Sequence, residues 1–185
     1  MTRIISATFL ALVLASAAPG PAAGSIPPQD GPALVQQGRF REAKPILERE
    51  AKAEPKNAAA HYALGIVRLQ FDQDFEKAAA SFEKAVALDG KNAEYHYQLG
   101  YSYARIALQA SPLRQIGLAA KVRRQGLKTI ELDPGHIDAR QGMIQFFMAA
   151  PGILGGSKDK AREQAAAVAR IDPYQGELGW ALIAS

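Results

Sequence analysis

The sequence predicts an all-α protein, a solenoid of antiparallel helix pairs closed by a short carboxy-terminal helix. Three observations predict it. A ten-residue block recurs 35 positions further on, apolar residues follow helical spacing on either side of it, and a proline or glycine breaker ends each unit.

The recurring block is Lys56-Asn57-Ala58-Ala59-Ala60-His61-Tyr62-Ala63-Leu64-Gly65, which agrees at seven of ten positions with Lys91-Asn92-Ala93-Glu94-Tyr95-His96-Tyr97-Gln98-Leu99-Gly100. The same offset relates Phe40-Arg41-Glu42-Ala43 to Phe75-Glu76-Lys77-Ala78. Within a unit the first helices read as 58–70 and 93–109, each with Leu-Gly in its middle. Glycine costs a helix about 1 kcal/mol, which close approach of a partner helix must offset. The second helix follows with Phe75, Ala78, Phe82 and Ala85 at spacings of three and four, one stripe alternating bulky and small. Glu54-Pro55, Asp89-Gly90, Asp133-Pro134 and Asp172-Pro173 close the units, proline because its ring and missing N–H end a helix.

Leu-Gly, spaced small residues, an aromatic and a closing breaker over 58–92 resemble the tetratricopeptide repeat. The resemblance covers about residues 30–175 and implies an α-solenoid with units at about 32–57, 58–92, 93–136 and 137–175. A capping helix is expected at 176–185, with Trp180, Leu182 and Ile183 covering the last pair. The breakers are spaced by 35, 44 and 39 residues, so against a period of about 34 the later units carry extra residues between their paired helices. In the third unit these include Gln109-Ala110-Ser111-Pro112, with Ser111 before Pro112 starting a helix that runs to about Leu132. In the fourth they form the segment from Pro151 to Ser157, Ser157 being the expected N-cap.

The first 24 residues read as a secretory signal peptide. Arg3 precedes a nearly continuous apolar run from Ile4 to Leu14, and cleavage is expected near Ala17 or Gly24, after Ala15-Ser16-Ala17 or Ala22-Ala23-Gly24. The run ends at Pro19-Gly20-Pro21, short of the roughly 20 residues of a spanning helix, so no stable membrane span is expected after processing. Residues 25–31, with Pro27 and Pro28, read as a flexible lead-in to a repeat domain at 32–185, and the protein is expected to be periplasmic or secreted.

Absence of cysteine excludes disulfides, thiolate metal sites, thiol nucleophiles and a lipid anchor on an amino-terminal cysteine. The net charge of +4 is interspersed, without the basic stripe and stacking aromatics of a nucleic-acid binder. His61 and His96 hold equivalent repeat positions and lack the paired spacing of a zinc site, so they read as structural, and no cofactor or metal is expected. No convergent nucleophile and base stand out, and the chain reads as a scaffold and not as an enzyme.

Two segments remain. Gly155, Gly156, Ser157 and Lys158 have the wrong order for a phosphate loop, and read as a helix–helix turn whose helix start could hold an anion. The stretch Pro-x-x-x-Gly-Gly-Ser-x-x-Lys-Ala from Pro151 also resembles repeat proteins associated with periplasmic tripartite carboxylate transport, which implies a small-ligand-binding accessory of a transport system as the alternative function. No acidic residue falls between Glu94 and Glu131, where Arg105, Arg114, Lys121, Arg123, Arg124 and Lys128 lie; this reads as a solvated outer stripe, with a site for an acidic partner as the alternative.

The tetratricopeptide resemblance implies that the first helices line a concave face that binds short peptides or partner helices. On this sequence it places Tyr62, Ile66 and Leu69 beside Tyr97, Tyr101 and Arg105, followed by Gln141 and Gln145. The lysines and asparagines of the family's carboxylate-clamping version are not there. The expected partner is a protein or peptide segment, with tyrosines either as its anchors or as packing between repeats.

Overall fold

A computed structural model describes residues 30–184; the expected signal peptide, 1–24, and residues 25–29 lie outside them. Among the described residues every regular element is helical: α1 Gly31–Gln36, α2 Phe40–Ala53, α3 Ala58–Gln70, α4 Phe75–Leu88, α5 Ala93–Gln109, α6 Pro112–Leu132, α7 Ile137–Ala149, α8 Lys158–Ile171 and α9 Pro173–Ala184, with a single 3₁₀ turn at Gly152–Leu154. Helices α1/α2, α3/α4, α5/α6 and α7/α8 form four pairs stacked in chain order, and α9 packs on α8 and α7.

The first helices of the later units begin under one recurring device. Asn57 accepts from the Ala60 N–H at 3.0 Å, Asn92 from Glu94 at 3.0 Å, and His136 Nδ1 from Ala139 at 3.3 Å, each two residues after the breaker. Asp74 and Ser157 cap α4 and α8 in the same way. Ser111 makes no such bond, so the start of α6 is set by Pro112. Asp30 and Gly31, expected in the lead-in, are instead the N-cap and first residue of α1; the Asp30 carboxylate accepts from Ala33 N–H at 2.7 Å.

Mid-helix glycine works as a contact device. A Cβ on Gly65 would lie 2.5 Å from Cε1 of the fully buried Phe82 on α4, and one on Gly100 3.1 Å from Gln125 Cβ on α6. Phe75, Ala78, Phe82 and Ala85 are all buried, and three apolar clusters run through the stack. In the fourth unit Ile144 takes the glycine's place and packs with Ala161 and Ala165, so bulk has moved from second helix to first.

The extra residues of the third unit lengthen its helices and leave only Ala110-Ser111 as the connection. Helices α5 and α6 have 17 and 21 residues against 13 and 14 in α3 and α4, and every residue from Ser111 to Gly117 is exposed. Nothing between Ala93 and Gln109 breaks a helix, and only Pro112 forces the turn. The capping helix also differs from expectation. It starts at Pro173, and Trp180 and Leu182 are 41% and 38% exposed; its inward face is Gly176 against Ala169 and Gly179 against Ile144 and Ala165, with Ile183 joining the last cluster. Side chains at the glycine positions would collide with α8, so the bulky residues turn outward.

Candidate functional site

Three open clefts lie side by side along the first helices. The first, about 470 Å³, runs between Leu69 and Gln70 of α3 and Tyr97 and Tyr101 of α5, floored by Phe75. The second, about 390 Å³, lies between α5 and α7 and reaches back to Val122 of α6. The third, about 230 Å³, continues from Gln141 and Gln145 to Leu178 of α9. Tyr97, Tyr101 and Arg105 border both of the first two, while Gln141 and Gln145 border the second and third, which makes the clefts one trough.

Of the residues expected on this face, Tyr97, Tyr101, Arg105, Gln141 and Gln145 line the trough, and Leu69 forms its edge although only 6% exposed. Ile66 is buried in the apolar cluster with Phe75 and Leu99 and lines none of the three clefts. Tyr62 is absorbed into the stack: its ring stacks on that of Tyr95 at 4.8 Å, inclined by 28°, and its hydroxyl donates to Glu94. Tyr97 has one face against the His136 ring at 4.6 Å. Burial, with Asp138 and Glu94 nearby, pushes its hydroxyl up to about 12. Tyr101 is 40% exposed and receives a hydrogen bond from Arg105 at 3.0 Å, while the same guanidinium sits 4.3 Å over the Phe75 ring. The tyrosines therefore divide between packing and surface along the stack.

Sequence reasoning did not place Gln70, Gln73, Gln98, Asp138, Leu108 and Val122 in these clefts. Gln98 was within reach of it, lying one residue after Tyr97 on the same helix. Val122 carries no such signal, because it arrives only through the lengthened α6.

The histidines are accounted for by the backbone. His61 Nε2 donates to the Pro55 carbonyl at 3.0 Å and His96 Nε2 to that of Gly90 at 3.1 Å, each tying a first helix to the breaker six residues earlier. In the fourth unit Arg140 replaces the histidine and donates to the Pro134 carbonyl at 2.9 Å. Burial, with Arg170 nearby, lowers the Arg140 guanidinium from its ordinary value.

The turn at Gly155, Gly156, Ser157 and Lys158 is closed upon itself. The N–H groups of Gly155, Gly156 and Ser157 donate to carbonyls of Gly152, Pro151 and Phe147, and that of Lys160 donates to the Ser157 hydroxyl. Gly155 needs its glycine, with φ at +96° and the Arg123 side chain against it. With these amides engaged and Asp159 in the first turn of α8, the turn offers an anion fewer donors than its sequence implies. The acid-free run is also less free than its sequence implies. Arg114 pairs with Glu76 at 2.6 Å, Lys128 with Glu131 at 2.7 Å, and Lys121 stands 4.0 Å from Glu83 and 4.7 Å over the Tyr103 ring.

A stack of helix pairs whose first helices border a continuous trough belongs to the repeat scaffolds. Family profiles described as tetratricopeptide repeat and TPR repeat match residues 30–72 and 72–106. Residues 30–106 carry the tetratricopeptide-repeat signature. It is 37% identical over 73 residues to Superkiller complex protein 3 of Mus musculus, a stretch covering 40% of this chain but 5% of that relative. Its fold is similar to MamA from Desulfovibrio magneticus RS-1, with 24% identity, a TM-score of 0.60, and 78% and 73% of the two chains covered. It is also similar to YrrB, described as a TPR protein with an unusual peptide-binding site, with 21% identity, a TM-score of 0.61, and 82% and 73% covered. Among the described residues no helix is long and apolar enough to cross a membrane.

Proposed function

We propose that the chain is an exported, non-enzymatic scaffold that holds a segment of a partner protein along its first helices. The observation that carries this reading is the trough itself, where Tyr97, Tyr101 and Arg105 stand at the junction of two clefts. Rings held by their own neighbours lose little freedom on binding, and the amides of Gln70, Gln141 and Gln145 add donors and acceptors beside them. The histidines, engaged with breakers and a cap, support a structural reading over a catalytic one. The amino-terminal segment supports export to the periplasm or beyond, with processing near Ala17 or Gly24.

The test is affinity capture from envelope extract with wild type and with Tyr97→Ala/Tyr101→Ala. The double variant is expected to lose proteins that the wild type retains; identical sets would remove the trough from the function. Mass measurement of the fractionated protein reads the export step, with retention of full-length chain in the cytoplasm counting against it.

A further inference from the structure

Among the described residues, Arg105 is the one cation that lines the trough. Its guanidinium lies over Phe75 at 4.3 Å and donates to the Tyr101 hydroxyl at 3.0 Å, so ring and hydroxyl hold its plane and orientation. It has no carboxylate partner among the described residues, whereas Arg114 and Lys121, on the neighbouring helix, stand opposite Glu76 and Glu83. A guanidinium has five donors in a flat fork, and one hydroxyl leaves most of them unused. Its position is also asymmetric. Arg105 is in the last turns of α5, while Asp138, in the first turn of α7, carries the second cleft's carboxylate, with Glu94 behind Tyr97 in the first turn of α5. The potential therefore runs from positive near Arg105 to negative near Asp138, and only the first end accepts an anion. The same cleft has an apolar wall, from Ala104, Leu108, Val122 and Met143.

We infer that the segment bound along the trough carries an acidic side chain that seats bidentately on Arg105, next to an apolar side chain that enters the cleft between α5 and α7. This deepens the proposed function and rests on it. The fixed guanidinium pairs with the carboxylate without first being ordered, and Asp138 and Glu94 disfavour the reversed placement. Charge complementarity selects an acidic peptide over a basic or neutral one, and the apolar wall selects one with a hydrophobic residue beside the acid.

The experiment uses a random twelve-residue peptide library displayed on phage, panned against wild type and Arg105→Gln, with circular dichroism confirming that both are folded. Wild type is expected to enrich peptides with Asp or Glu beside an apolar residue, and Arg105→Gln to lose that acidic preference. In a selected synthetic peptide, Glu→Gln is expected to weaken binding to wild type at least fivefold and to leave Arg105→Gln unaffected. Arg105→Lys, which keeps the charge without the flat fork, is expected to fall between them. Enrichment of peptides without acidic preference overturns the inference and leaves the scaffold reading standing. Failure to enrich any peptide overturns the reading, and the inference with it.

Discussion

The Tyr62 hydroxyl donates to the Glu94 carboxylate at 3.3 Å across 32 residues of sequence, while the other Glu94 oxygen lies 3.4 Å from His136 Nε2. One side chain thus touches the first helices of three successive units. Glu94 is 43% exposed, so solvent screens these contacts and their worth is modest. Glu94→Ala is expected to cost about 0.5–1 kcal/mol in urea unfolding, with a rise in hydrogen exchange at the start of α7. An unchanged exchange pattern would mean that Glu94 does not link the units.

Alkaline pH is expected to unfold the protein through its tyrosines. Burial raises the hydroxyls of Tyr62, Tyr97 and Tyr103 above the ordinary value of 10.0, with Glu94, Asp138 and Glu83 respectively adding to the effect. A group raised in the folded state contributes stability that is complete below its unfolded value and is lost as pH climbs through the folded one. Stability should therefore hold to pH 10 and fall between pH 10 and 12 and beyond, as Tyr97 passes its value of about 12. Tyrosinate absorbance followed alongside circular dichroism checks this, and Tyr62→Phe should make the loss shallower.

Glycines at similar places in helices should respond with opposite signs. Gly65→Ala places a methyl 2.5 Å from the ring of Phe82, which is fully buried and has no room to move, and is expected to destabilise by about 1–3 kcal/mol. A Cβ on Gly117 meets nothing within 4 Å, so Gly117→Ala is expected to stabilise by about 0.5–1 kcal/mol through helix propensity. Thermal midpoints moving in the same direction would defeat the packing account.

The tie between a first helix and its breaker is made by histidine twice and by arginine once. His61→Ala is expected to cost about 1 kcal/mol through the carbonyl of Pro55 left without its donor. His61→Arg should recover part of that loss, as Arg140 does for Pro134. Equal urea midpoints for the two variants would show that the repeated geometry carries no stabilising bond.

Trp180 is the chain's single tryptophan, which makes α9 directly observable. At 41% exposure it should emit between the buried and the solvent-exposed limits and be partly quenched by iodide. Gly176→Leu, forced against Ala169, should release α9 and raise the quenching without abolishing the helical signal of the remaining stack.

Repeated residues made the architecture legible. Leu-Gly, the capping asparagines and the breakers each encode a local geometry, and between the second and third units all three recur 35 residues apart. Past residue 106 the code weakens: Ile144 stands where glycine stood, and Arg140 where histidine stood, so the same contacts are made by different side chains. The trough was legible in Tyr97, Tyr101 and Arg105, which share one helical stripe. Ile66 and Tyr62 lie at the matching positions one unit earlier, yet the stacking of Tyr62 on Tyr95 and the closure of the α3/α4 core draw them inward. Helical periodicity places a residue on a face; it does not say whether a neighbouring helix already covers that face.

The pairs Arg114–Glu76 and Lys121–Glu83 join the second helices of adjacent units, whereas glycine against a buried side chain sets the spacing within a unit. Short-range packing is steep and insensitive to salt, while half-exposed charges act over about a Debye length and soften as ions are added. Units two and three also share a buried apolar cluster that runs from Ile66 to Leu118 and is indifferent to ions, so added salt loosens only the outer rim between α4 and α6.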